Sequence, residues 1–218
     1  MITSYNLQGM GDVLVIILAP NAAEQTVTTN DQVTRIQDAA TQATTGFNIA
    51  GIGAQLGLTD VQGQVVLDAD QVDQVNSLLA EAGFEDRLTV SPSKLVIGRV
   101  EKMTAHPDSD HLHVTTTAVG EGKTLQIVSG SPNMREGIKV VVAQPGTMMP
   151  SGALIWDGAL RGVQSSGMIV SGRELQLPAA PDKPGALVLP EDFGEVGTVF
   201  DFDKAQNLYT DHLVDTNY

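Results

Sequence analysis

The sequence predicts a mainly β protein with minor α content (α+β): an N-terminal α+β domain followed by a small barrel or sandwich of antiparallel strands. Three observations carry that expectation. Short stretches that alternate polar with apolar or β-branched residues recur along the chain, bounded by Gly, Pro, Asn and Asp. A single segment near residues 68–83 has the apolar spacing of a helix. The step TVSPSK, Thr89 to Lys94, combines Pro with small polar residues and coincides with a change in charge, so the expected divisions are 1–90, 91–199 and an acidic extension, 200–218.

Composition narrows the function classes. A chain of 218 residues has room for two cores, since domains commonly hold about 100–150 residues. The formal charge of −14 is uneven: −9 over residues 1–90, +1 over 91–177 and −6 over 178–218. A surplus of carboxylates opposes coating nucleic acid or anionic lipid, and only the middle stretch would not repel phosphate. Cysteine is absent, which excludes disulfides, thiolate-bound zinc, iron–sulfur clusters and a cysteine nucleophile, and fits a cytoplasmic protein.

The run VLVIILAP, Val13 to Pro20, has the look of a signal-peptide core. The first cation is Arg35, however, so the basic leader is missing, and the run is too short to span a bilayer. A buried strand is expected there, and no membrane association. QTVTTN, QVTRIQDA and GFNIAGIG continue as half-buried strands of a meander, and QVVLD as one more. In the helix that follows, Asp68 or Asp70 is placed to cap, Val72, Val75, Leu78 and Leu79 form the apolar stripe, and Gly83 ends it. Gly51, Gly53 and Gly57 give a loose G-x-G-x-x-x-G without a following βαβ unit, a weak nucleotide signal. Beyond Lys94, strands are expected at KLVIGRVEKM, HLHVTTTAVG, TLQIVSG and IKVVVA, with a pair at ALIW and GMIVSG; ALVLP and TVFDFD read as an edge strand or a docked acidic extension.

The segment AHPDSDHLHV holds three of the four histidines. His111 and His113 are spaced to share one face of a strand and hence a metal. Against this, Pro107 fixes the chain, and Asp108, Ser109 and Asp110 are turn formers that bond to nearby backbone. A polar turn is expected rather than a metal site, and no cofactor.

Several ordered motifs surround that turn: G-x-V at Gly98–Val100, HP-D-x-D-x-L at His106–Leu112, VSG-S-PN-x-R-x-G at Val128–Gly137 and LRGV-x-S-x-GM at Leu160–Met168. Together, over roughly residues 93–177, they resemble the tRNA-binding OB-fold module of the phenylalanyl-tRNA synthetase beta subunit, the methionyl enzyme's C-terminal appendage and free-standing tRNA-binding proteins. With GDVLVIILAP and GFNIAGIG ahead of it, the chain is similar to the YtpR family, which pairs an uncharacterised N-terminal domain with this module. The resemblance implies an OB-fold β-barrel, tRNA as partner, no catalytic aminoacylation core and, from free-standing relatives, a homodimer. The sequence departs from the family where His111 replaces a usual Lys, where Asp157, Gly158 and Ala159 precede the LRG run in place of lysines, and where Gln164 replaces a common Glu.

An OB barrel meets RNA with cations for phosphate and with hydrogen bonds or stacking for bases. The candidates are Arg99, Lys102, Lys123, Ser129, Asn133, Arg135, Lys139, Arg161, Ser166 and Arg173, with Arg161 foremost because its motif is intact. Each has a structural alternative: a solubilising charge for the cations, a turn cap for Ser129 and Asn133. Trp156 is the only tryptophan, and stacking is a minor term unless it lies on the open face. The expected function is therefore a non-catalytic tRNA-binding protein; the competing reading is a protein-interaction adaptor that docks a partner through residues 1–90. A hydrolase is disfavoured, since there is no G-x-S-x-G elbow or P-loop.

Overall fold

The computed structural model describes residues 1–218 and separates into two compact units, Met1–Pro92 and Ser93–Tyr218. The chain is mainly β with minor α, and no helix is long and apolar enough to cross a membrane.

In the first unit, β1 (Ile2–Asn6) leads through a single helical turn, α1 (Leu7–Met10), into β2 (Val13–Ile17). Then come β3 (Gln25–Asn30), β4 (Val33–Asp38), β5 (Thr44–Ala50), β6 (Gln62–Val65) and α2 (Ala69–Glu81). The strands form one antiparallel sheet in the order β3-β4-β5-β2-β1-β6. A simple meander is thus interrupted, because β2 inserts between β5 and β1. Leu14 and Ile16 of β2 are buried while their neighbours are half-buried, so the apolar run is a strand with one face on the core. The expectation at QVVLD is shifted: the strand is Gln62–Val65, and Val66 is exposed.

The helix forms as its sequence directs. Asp68 accepts from the Gln71 backbone at 2.8 Å and Gln71 returns a bond from the Asp68 backbone at 3.0 Å, a reciprocal capping box. Val72, Val75 and Leu79 bury against Tyr5, Leu14, Ile16, Phe47 and Ile49, each contributing about 1.5–3 kcal/mol. Asn76 bonds both the carbonyl (3.0 Å) and the amide (2.7 Å) of Leu88, fastening the segment after the helix. The glycine-rich stretch serves packing. Asp12 accepts from the Tyr5 hydroxyl at 3.0 Å and from the Gly53 amide at 2.8 Å, and a Cβ on Gly53 would lie 2.1 Å from that hydroxyl.

The second unit contains β7 (Leu95–Ala105), β8 (His113–Ala118), β9 (Thr124–Ser129), β10 (Lys139–Ala143), β11 (Thr147–Met148), β12 (Leu154–Ile155), β13 (Asp157–Leu160), β14 (Val163–Ser166), β15 (Met168–Ile169), β16 (Val188–Leu189) and α3 (Phe202–Ala205). Its main sheet runs β15-β10-β7-β8-β9, with β16 also on β10. A bulge at Glu101 lets β7 pair β10 with its first half and β8 with its second. The strands do not close into a hydrogen-bonded ring. ALIW and GMIVSG do not pair with each other: β12 joins β11, and β15 joins β10.

Every residue of β10 is buried because both faces are covered. Val140 and Val142 face a cluster with Val96, Val100, Ile127 and Met134, while Val141 and Ala143 face one with Ile97, Phe193, Phe200, Leu208 and Tyr209. Phe200, Ala205, Leu208 and Tyr209, from the stretch 200–218, are therefore part of this unit's core.

Candidate nucleic-acid interface

The LRGV motif is a two-residue hairpin turn. Leu160 pairs with Val163, and the central Arg161 and Gly162 have φ of 45° and 82°. Positive φ at both central positions defines a type I′ turn, which suits the right-handed twist of a hairpin and favours glycine at the second position. Arg161, not a glycine, accepts the left-handed conformation at the exposed tip.

The HPDSD loop is built against that tip. Buried His106 accepts the Asp108 amide at Nδ1, 3.0 Å, so its proton resides on Nε2, which donates to the Leu160 carbonyl at 3.1 Å. Arg161 Nη1 donates to the Asp108 carbonyl at 3.1 Å. His106 thereby ties the β7–β8 loop to the β13–β14 hairpin. His111 lies in the loop and not on the strand, which starts at His113, so the two do not share a strand face. No group of three His, Asp or Glu is brought together in a geometry that could hold a metal.

The hairpin is in turn fixed beside β9. Ser165 Oγ accepts the Val128 amide at 3.0 Å, and Gln126 Nε2 donates to the Gln164 carbonyl at 2.8 Å. Side chains thus bridge where a closed barrel would have a backbone ladder. Gly167 sits so close to β10 that a Cβ would lie 2.6 Å from the Ala143 carbonyl oxygen.

The expected contact residues fall into two groups. Lys139 is buried, and its ammonium is engaged by the carbonyls of Glu191 and Gly194, the latter at 2.7 Å. Asn133 both donates to and accepts from the Ala186 backbone, at 2.9 and 2.8 Å. Ser129 is buried and accepts the Ser131 amide at 3.3 Å. Arg99 makes a two-pronged pair with Glu191 at 3.1 and 2.5 Å and bonds the Gly137 carbonyl at 2.7 Å. That pairing holds the Glu191 carboxyl below its usual range and raises the Arg99 guanidinium further. These residues are committed to the frame.

The second group is open to solvent. Lys102, Arg135 and Arg161 are exposed; Arg135 spends one nitrogen on the Asn133 carbonyl at 3.3 Å, and Arg161 one on Asp108. Lys123 is paired with Glu121 at 2.9 Å and Arg173 with Asp182 at 3.1 Å, all four side chains being largely exposed. Ser166 is half-buried opposite Asp157, whereas the motif's fixed serine, Ser165, does the anchoring.

Two participants were not among the expected contacts. Glu174 Oε2 accepts the Ser171 amide (2.7 Å) and hydroxyl (2.8 Å), while Ser171 Oγ accepts the Glu174 amide at 3.1 Å. The S-x-x-E spacing of a capping box is its sequence signal. Trp156, half-buried, lines a cavity of about 400 Å³ together with Glu174, Arg173, Ser129, Leu160 and Met168.

Comparison with known proteins places both units. Residues 20–91 match a family model described as "Domain of unknown function (DUF4479)", and residues 95–199 one described as "Putative tRNA binding domain". The "Putative tRNA-binding protein YtpR" of Bacillus subtilis (strain 168) is 46% identical over 200 residues, covering 91% of this chain and 98% of that protein. The "Phenylalanine--tRNA ligase beta subunit" of Burkholderia lata is 42% identical over 130 residues, covering 55% of this chain but only 16% of the subunit. That of Oceanobacillus iheyensis is 40% identical over 146 residues, covering 63% of this chain and 18% of the subunit. With near-complete coverage at this identity, and both units matched in order, the chain belongs to the YtpR family.

Proposed function

We propose that this is a non-catalytic protein that binds tRNA through its second unit, acting in the cytoplasm. The observation that carries the reading is the near full-length match, at 46% identity, to the "Putative tRNA-binding protein YtpR" of Bacillus subtilis, joined to the match of the second unit to the "Putative tRNA binding domain" model. The order β15-β10-β7-β8-β9 with a bent β7 is consistent with an open OB barrel, in which β7 turns from one side of the sheet to the other.

Lys102, Arg135 and Arg161 are the contacts best suited to phosphate, because their charges stay in solvent with donors to spare. Lys123 and Arg173 add to them when phosphate displaces the exposed Glu121 and Asp182, since such exposed pairs are worth little, about 0–1 kcal/mol. Arg99, Lys139 and Asn133 support the surface without touching RNA, while Ser129, bonded to the Ser131 amide, also lines the cavity beside Trp156. The phenylalanine–tRNA ligase beta subunits share only 16% and 18% of their length with this chain, so their chemistry is not transferred.

The test is fluorescence anisotropy with labelled bulk tRNA and an unstructured RNA of equal length. Saturable binding that prefers tRNA supports recognition by shape. Equal affinity for both would remove shape recognition, and absence of binding at low salt would leave the acidic first unit as the site to probe for protein partners.

A further inference from the structure

The cavity beside β9 has the dimensions and lining of a site for one flat ring system. At about 400 Å³ it lies at the lower end of small-molecule sites, which run from about 300 to 1,000 Å³. Its lining includes the half-buried Trp156, Leu160 and Met168, together with Arg173 and Glu174. The arrangement is made by chain segments already accounted for. The hairpin anchored by Ser165 brings Leu160 to the cavity, and the Ser171–Glu174 capping box brings Glu174.

Glu174 is the informative polar group. Both bonds from Ser171 go to Oε2, leaving Oε1 without a partner in the protein. An ionised carboxylate accepts and cannot donate. On the pairing edge of adenine, cytosine or guanine an exocyclic amino group donates; uracil has no amino group there, and its single donor, N3–H, is flanked by two carbonyl oxygens that a carboxylate repels. Arg173, with one nitrogen on Asp182, retains donors at the mouth for the attached phosphate.

We propose that this cavity receives one unpaired, amino-bearing nucleobase of the bound RNA, stacked on Trp156 and read at its amino group by Glu174 Oε1. The inference deepens the tRNA-binding reading above and rests on it. It supplies what free cations alone do not, a preference among bases at one position. Stacking on an aromatic side chain corresponds to roughly a 5- to 100-fold change in affinity on substitution by alanine.

Because Trp156 is the only tryptophan, its emission reports the cavity directly. The experiment titrates the full chain with the trinucleotides AAA and UUU, following that emission, and separately measures labelled tRNA by anisotropy for wild type, Trp156→Ala, Trp156→Phe and Glu174→Gln. The expected results are saturable quenching by AAA with about tenfold weaker binding of UUU and a 5- to 100-fold loss of tRNA affinity in Trp156→Ala. Trp156→Phe should recover part of that loss, which a mere packing defect need not show. Glu174→Gln, whose amide can also donate to a uracil carbonyl, should shrink the AAA over UUU preference.

The two readings fail separately. If tRNA binds but neither RNA alters Trp156 emission and Trp156→Ala binds as wild type, the base pocket is refuted while tRNA binding stands. Quenching by AAA in a protein that does not bind tRNA would keep the pocket and overturn the tRNA reading. If neither RNA is bound in either assay, both are lost.

Discussion

His106 Nε2 donates to the carbonyl of Leu160 across a 3.1 Å hydrogen bond, joining two loops 54 residues apart in sequence. The same ring accepts the Asp108 amide, and Arg161 reaches back to the Asp108 carbonyl. The polar loop and the cationic turn therefore form one surface, with Arg161 aimed by its neighbour and His106 holding the floor.

His106→Ala removes both ring bonds and leaves the Leu160 carbonyl and the Asp108 amide without these partners. Each lost bond near the buried ring costs about 1–2 kcal/mol, so a destabilisation of roughly 2–4 kcal/mol is expected. Urea denaturation followed by Trp156 emission reads this unit selectively, since the first unit contains no tryptophan.

Arg161→Asn keeps a residue that tolerates φ of 45° while removing the charge. The strands of the second unit should remain folded by circular dichroism. Affinity for tRNA should fall about tenfold and the salt dependence should lose roughly one unit of slope. Unchanged affinity in the folded variant would take Arg161 out of the interface.

Lys139→Ala is expected to behave in the opposite way. Its ammonium serves the Glu191 and Gly194 carbonyls from a buried position, so stability should drop by about 1–3 kcal/mol. The salt slope of RNA binding should stay at the wild-type value. A reduced slope would mean that Lys139 leaves its carbonyls to meet phosphate.

Alkaline titration tests the core made by the C-terminal stretch. Burial, reinforced by Tyr218, pushes the Tyr209 hydroxyl from 10.0 up to about 12, with the Gly172 backbone acting the other way. The folded state thus keeps a proton that the unfolded state releases. Its stabilising contribution is complete below pH 10 and is lost as the pH rises towards 12. Tyrosinate absorbance should show the Tyr209 hydroxyl ionising at about pH 12, and unfolding in urea should return it to near 10. Normal ionisation in the native chain would contradict the burial of this residue.

The fold was legible where periodicity is local. The alternating burial of Leu14 and Ile16, the Asp68 cap and the Val72, Val75 and Leu79 stripe could all be read along the chain. What escaped depended on distant partners. β1 carries Ser4 and Thr3 among its few residues and is specified as a central strand by β2 and β6 on either side. ALIW and GMIVSG have strand composition, but nothing in it chooses β11 and β10 as their partners.

The site was legible by motif and less so by role. LRGV was recognised as a unit, yet its turn geometry, and Ser165 as the anchoring serine, emerge only with β9 beside it. Lys139 and Asn133 look like RNA contacts in sequence because a Lys or Asn carries no mark of burial. Their partners, Glu191, Gly194 and Ala186, lie more than fifty residues away.

The most direct measurement of the central claim is tRNA affinity across a salt series. Each phosphate neutralised contributes a slope of about −0.7 to −0.9 in log K against log salt concentration. A slope of about −2 to −3 is predicted from the open cations Lys102, Arg135 and Arg161, steepening to about −4 where Lys123 and Arg173 also meet phosphate, together with a preference for tRNA over unstructured RNA. A slope near zero, or no binding at low salt, would contradict the account and point to an RNA-independent role for this surface.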